Sequence, residues 1–238
     1  MRLPAGPAIG VEALLRWTNP DPDTVSFART PSGVPGHLGD WGLAEAAGQT
    51  AEWRRRSPAM RDLVVSVDVS AAQRHDSDVV GQVGSVLAAT GLRGSALCLE
   101  LSEAIVLDDP VGARAMLKRL RRLGVGIALD HFGLDCASLA HLGRLPVTVL
   151  KIDGSLIAGA ERPGGADATL LAAIVALSRS LGIATVACGV ATAAQAARLT
   201  ELGCDAAQGD LLSAPLTADE LPDVVTRLAA QKLGLASA

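Results

Sequence analysis

The chain has 238 residues, of which 49% are apolar and 19% charged, so there is ample material for a core and no case for disorder. A net charge of −4 argues against a nucleic-acid duplex as partner. No run of about 18 apolar residues and no signal-peptide core occurs, so no membrane segment is expected and a soluble, cytoplasmic protein is.

Short apolar runs alternate with longer helix-like stretches, with no linker or low-complexity tract between them, so residues 1–238 are read as a single domain. The strand candidates are Ile9–Arg16, Leu63–Val69, Ala96–Leu101, Val125–Asp130, Val147–Ile152, Ala184–Cys188 and Asp205–Gln208. Helices are expected to begin near His37, Asp76, Asp109, Ala137, Asp167, Thr192 and Thr217. Asp109-Pro110 and Thr217 followed by Asp219-Glu220 are N-terminal signals, and Gly182 and Gly203 stand where a left-handed residue ends a helix. The basic clusters Arg54-Arg55-Arg56 and Lys118 to Arg122 read as solvated helix faces. The four cysteines show no metal-type spacing, and Cys98 and Cys188 sit inside apolar runs, as buried thiols often do.

Continuous apolar strands separated by helices imply a parallel sheet covered on both faces. No glycine-rich phosphate loop follows the first strand, which favours a β/α barrel over a doubly wound sheet. Seven strands are one short of a closed barrel of this type. Met1 to Ala8, with Pro4 and Pro7, is poor material for the eighth.

In such a barrel the active site lies where strands end. Acidic residues in or near the strands are therefore the candidates: Glu12, Asp68, Glu100, Asp130 and Asp153. Burying several carboxylates at one mouth requires a cation, and oxygen ligands suit Mg²⁺ or Mn²⁺. Any one of them alone reads better as a helix cap or a surface ion pair. Lys151 is one of three lysines and ends an apolar run, so it must meet an anion or a wet cavity. Gln208 adds an amide at the end of the last strand.

The stretches "GVEALLRW" (Gly10–Trp17), "LELSE" (Leu99–Glu103), "DHFG" (Asp130–Gly133), "LPVTVLKIDGS" (Leu145–Ser155) and "GCDAAQGDLLSAPL" (Gly203–Leu216) occur in one order. Together they resemble the EAL domains, bacterial phosphodiesterases that hydrolyse cyclic di-GMP, from about residue 9 to 221. The resemblance implies a TIM-like barrel of the EAL type, here lacking the N-terminal antiparallel strand, and two-metal hydrolysis. It implies metal ligands at Glu12, Glu100 and Asp130, with Asp68 where the family has asparagine. Leu14 and Arg16 match positions that cradle the dinucleotide, and Lys151 and Gln208 match as well. Glu103 matches the residue that supports the loop after Asp130.

The second metal is where the chain departs. His131 replaces the family's second aspartate, and Cys188 replaces the glutamate regarded as general base. "AEGVE" has become "ACGVA", "DDFGTGYSS" has become "DHFGLDCAS", and the "FIPxAE" segment has changed. A thiol cannot replace a carboxylate as base and hard-metal ligand without changing the chemistry. A re-purposed Zn²⁺ or Fe²⁺ shell of Glu100, Asp130, His131 and Cys188 is one reading, and loss of the second site is the preferred one. The expectation is a degenerate, non-hydrolysing module that binds cyclic di-GMP or a protein partner, a second copy included. Its alternatives are a phosphodiesterase with an altered metal site and a purely structural barrel. A residual single site for Mg or Mn is left open.

Overall fold

The computed structural model describes residues 1–3, 6–14, 36–69, 78–133, 142–160 and 164–235. All seven expected strands form: β1 (Gly10–Glu12), β2 (Val64–Asp68), β3 (Leu97–Ser102), β4 (Gly126–Phe132), β5 (Val149–Ile152), β6 (Ala184–Ala187) and β7 (Ala206–Ala207). They pair in chain order, each parallel to the next, in one seven-stranded sheet. The helices among the described residues are α1 (Gly36–Arg56), α2 (Val79–Thr90), α3 (Glu103–Asp108), α4 (Pro110–Arg122), α5 (Gly154–Gly159), α6 (Ala166–Ser180), α7 (Ala193–Leu202) and α8 (Leu221–Leu235). None is long and apolar enough to cross a membrane.

Local chemistry explains most of the boundaries. The Asp109 carboxylate accepts the Gly112 N–H at 2.9 Å, and Pro110 opens α4 at a position where no N–H is needed. Thr192 and Gln195 form a reciprocal capping box at the start of α7. Gly182 and Gly203 have positive φ, as expected of residues that end helices. The last helix begins at Leu221 and not at Thr217. The Glu220 carboxylate accepts both the N–H and the hydroxyl of Thr217, so these two residues close a turn ahead of the helix. The six-residue helices α3 and α5 have no counterpart in the sequence reading, because so few residues carry no periodicity. The helix start expected near Ala137 lies outside the described residues.

The core lies between sheet and helices, around Leu97, Leu99, Leu101, Ile127, Leu129, Leu150 and Ile152. Every residue of β3 but the last is buried, as a strand covered on both faces must be. In β2, Val65 and Val67 are buried against the helix side, while Ser66 and Asp68 take the other face. Register then fixes which chemistry meets. Glu12 pairs with Ser66, Asp68 with Glu100, Glu100 with Ala128, and Ala128 with Val149. With a period of two, Glu12, Asp68, Glu100, Asp130 and Lys151 all lie on one face, inside the curve of the sheet.

No eighth strand forms among the described residues, and the N-terminal tail covers the edge in its place. Arg2 makes an antiparallel bridge to Ala206. The Leu3 N–H donates to Asp205 O at 3.0 Å, and Ala207 N–H donates to Met1 O at 2.8 Å. The tail then turns back, Arg2 N–H donating to Pro7 O at 3.2 Å just ahead of β1. The exposed groups of β7 are thus paired over a short stretch.

Candidate active-site mouth

The centre of the mouth is Lys151. Its ammonium lies 2.9 Å from Glu12 Oε2 and 3.5 Å from Asp130 Oδ1, and it donates a short hydrogen bond to Glu100 Oε2. Lys151 and Glu100 are both buried, 4% and 2% exposed, so neither charge is screened by water. Burial works against the lysine's charge, but Glu100, Glu12 and Asp130 outweigh it and hold its pKa above the usual lysine range. Burial pushes the Glu100 carboxyl up to about 7, against the pull of Lys151. Burial also raises Glu12, yet Lys151 and Gln208 prevail there and its pKa is lowered.

Glu12 is held from the other side of the seam. Gln208 Nε2 donates to Glu12 Oε2 at 2.6 Å, joining the end of β7 to β1 across 196 residues. Gly209 makes this approach possible: its φ is +148°, and a Cβ there would lie 2.3 Å from Val190 N. Val190 N–H donates to Gln208 O at 3.0 Å, so the loop after β6 fixes the backbone that carries the amide.

Asp68, Glu100 and Asp130 each offer a carboxylate oxygen, and these oxygens lie within 4.8 Å of one another. Burial and the neighbouring Glu12 raise the Asp68 pKa, a sign that the mouth carries negative charge in excess of its lysine. Three oxygen donors at this separation fit one hard divalent cation. Glu100 and Asp130 are also two of the three carboxylates that hold Lys151, so lysine and cation draw on the same groups.

Cys188 stands apart from that cluster, and His131 touches it only through Asp130. His131 is the only non-glycine residue with positive φ among those described, at 54°, where the β4–β5 register shifts between Leu129 and Phe132. Its ring is 67% exposed; Nδ1 lies 2.9 Å from Asp153 Oδ2 and Nε2 lies 3.3 Å from Asp130 Oδ2. The hydrogen bond to Asp153 raises the histidine's pKa. Asp153 also accepts from the N–H and hydroxyl of Ser155, and its pKa is lowered, first by Ser155 and then by His131. The Cys188 thiol follows β6 and makes only a long contact, 4.0 Å, to Val186 O. Burial pushes it up to about 12, so it is a thiol and not a thiolate at neutral pH. Among the described residues, neither side chain joins a group with metal-ligand spacing. Among the described residues, Asp68, Glu100 and Asp130 are the one group with metal-ligand spacing, and the mixed set of Glu100, Asp130, His131 and Cys188 does not form another.

Leu14 follows β1 and is 54% exposed. Arg16 and the altered residues after Gly133, Leu134 to Ser138, lie outside the described residues. Glu103 is the first residue of α3, where a carboxylate faces the positive end of the helix. Ser66 carries no role in the sequence reading, yet its hydroxyl is hydrogen-bonded to Glu100 and to Cys98. The signal for it is its spacing, two residues before Asp68 on the same face.

The family model described as "EAL domain" matches residues 1–215. The chain belongs to the EAL domain family. MucR of Pseudomonas aeruginosa, a bifunctional diguanylate cyclase/cyclic di-GMP phosphodiesterase, is 38% identical over 223 residues, covering 92% of this chain and 32% of that protein. The solved MucR phosphodiesterase, in complex with c-di-GMP, superposes with a TM-score of 0.82 at 37% identity, over 92% of this chain and 90% of that one. The EAL domain of Mycobacterium smegmatis DcpA gives a TM-score of 0.78 at 33% identity, over 92% of this chain and 91% of that one. The chain spans about a third of the length of the curated relatives it matches. The sheet described above is therefore that of an EAL-type, TIM-like barrel.

Proposed function

We propose that this EAL domain binds cyclic di-GMP without hydrolysing it. The observation that carries this reading is the composition of the mouth. One acidic cluster, Asp68, Glu100 and Asp130, fits a single divalent ion, while His131 and Cys188 stand where the family resemblance implies the second metal's aspartate and the general base. A single ion there, held by Asp68, Glu100 and Asp130, would supply charge to draw in a phosphodiester oxygen. The residues Lys151 and Gln208 are kept, and with Leu14 and Arg16 they form the ligand-contacting set that the family resemblance implies. The relationship to MucR, solved with c-di-GMP, supports the choice of ligand.

Loss of a metal and loss of a base each remove roughly 10²-fold or more from a rate, so hydrolysis drops to background. The test is a time course of cyclic di-GMP with Mg²⁺ or Mn²⁺, read by chromatography beside isothermal titration of the same sample. Binding without product is the expected result, and Arg16→Ala weakens the binding. Linear product above background overturns the reading, and so does the absence of any binding heat. The triple variant His131→Asp, Cys188→Glu, Asp68→Asn is the matching gain-of-function arm. A second reading, slow turnover with one ion, rests on the surviving acidic triad, and the same time course decides it.

A further inference from the structure

In a parallel sheet all strands begin at one end, so the turns entering β2 to β6 share the face opposite the mouth. That face is rich in arginine. Arg61 precedes β2, Arg93 precedes β3, Arg121 and Arg122 precede β4, Arg144 precedes β5, and Arg179 lies in the last turn of α6 ahead of β6. All six are exposed. The turns are packed against each other. A Cβ on Gly94 would lie 2.0 Å from Leu123 O, so the turns of Arg93 and Arg122 touch. A Cβ on Gly143 would lie 3.6 Å from the Leu181 side chain, which brings the turn of Arg144 to that of Arg179.

Little on this face neutralises the charge. Arg121 donates to Val125 O at 2.6 Å, and Arg179 donates to Leu202 O and Gly203 O at 3.2 and 2.9 Å; carbonyls orient these guanidinium groups and leave them cationic. Among the described residues, no carboxylate lies within ion-pair distance of Arg61, Arg93, Arg122 or Arg144. Of the nearby acids, Asp62 follows Arg61 and Asp205 accepts from the N–H and hydroxyl of Thr185. The attraction of bases to helix C-termini accounts for Arg121, Arg122 and Arg179. It does not account for Arg61 and Arg93, which lie beyond the last turns of α1 and α2.

We infer that this end of the barrel docks on an anionic phospholipid surface. Strands about 4.8 Å apart spread the charges of five successive turns over roughly 20 Å of one end, which suits a planar array of phosphates. Leu181, 42% exposed, lies between the turns of Arg179 and Arg144 and adds an apolar contact at headgroup level. The acidic mouth is a strand length away, roughly 15–20 Å and beyond a Debye length of about 8 Å, so its repulsion is screened. A nucleic acid is less suited: none of these turns carries an aromatic side chain for base stacking, and the chain as a whole is acidic.

The experiment is co-sedimentation of the full chain with phosphatidylserine–phosphatidylcholine vesicles and with pure phosphatidylcholine vesicles. Binding is expected only to the former and weakens with added salt. The triple variant Arg93→Gln, Arg122→Gln, Arg144→Gln weakens partitioning on the order of 100-fold. A control with the same charge change elsewhere, Arg114→Gln, Arg198→Gln, Arg227→Gln, retains it, with circular dichroism confirming that both variants fold. Equal loss in both variants overturns the assignment of the face. Absence of vesicle binding overturns the inference, as does preferential binding of duplex DNA in a competition arm.

Discussion

The two halves of the mouth differ in how firmly the fold holds them. On one side, with Lys151 and Glu100 buried, the candidate side chains are knit together: Lys151 reaches Glu12, Glu100 and Asp130, and Gln208 closes the ring onto Glu12. Near the end of β4 and just after β6, His131 is exposed and hydrogen-bonded to Asp153, and Cys188 is a protonated thiol with one long contact. In the first half, removing any one member strands another charge in a low-dielectric site. In the second, the replacements are satisfied by neighbours at little cost. The departures from the EAL pattern at His131 and Cys188 therefore fall where the protein can absorb them.

Substitutions can break or sharpen this contrast. The largest effect is expected for Lys151→Met, which leaves Glu12, Glu100 and Asp130 without their shared cation. Urea denaturation in chelator should show a loss of about 3–5 kcal/mol. Mn²⁺ should restore part of it by occupying the carboxylates the lysine vacates. A variant as stable as the parent would show that the first half is not bound together by charge.

Next comes pH. Glu100 titrates near 7 in the folded protein against an ordinary 4.5. Below 4.5 both states carry the proton; between 4.5 and about 7 only the folded state does, so stability falls as pH rises through that window and levels above it. The fall attributable to Glu100 is about 3 kcal/mol, and Glu100→Gln should remove it from stability curves measured at both ends of the window in chelator. An unchanged slope would separate Glu100 from the charge network.

Gln208→Ala removes the link across the seam and should cost about 1 kcal/mol. It should also speed hydrogen exchange at the Met1–Leu3 bridge to β7 if that link steadies the seam. His131→Ala is expected to have the smallest effect, under about 1 kcal/mol, because its ion pairs are exposed. His131→Gly should be neutral or stabilising, since glycine adopts the positive φ without strain. A cost for His131→Ala equal to that of Lys151→Met would erase the distinction between the halves.

Much of this protein was legible in its sequence alone. Seven apolar runs became seven parallel strands, because a run of that length covered by helices on one side and a packed interior on the other has few alternatives. The acidic residues at strand ends, the lone lysine of β5 and the terminal glutamine were visible as outliers in apolar surroundings. So were the two replacements at His131 and Cys188, as departures from the EAL pattern. Tertiary structure alone decided who meets whom. Strand register placed Ser66 beneath Glu100 and brought Gln208 to Glu12 across nearly the whole chain. A one-residue bulge in β4 turned His131 outward to Asp153, and the proline-containing tail paired with β7. These outcomes depend on contacts between residues far apart in the chain, and no local pattern of side chains encodes them.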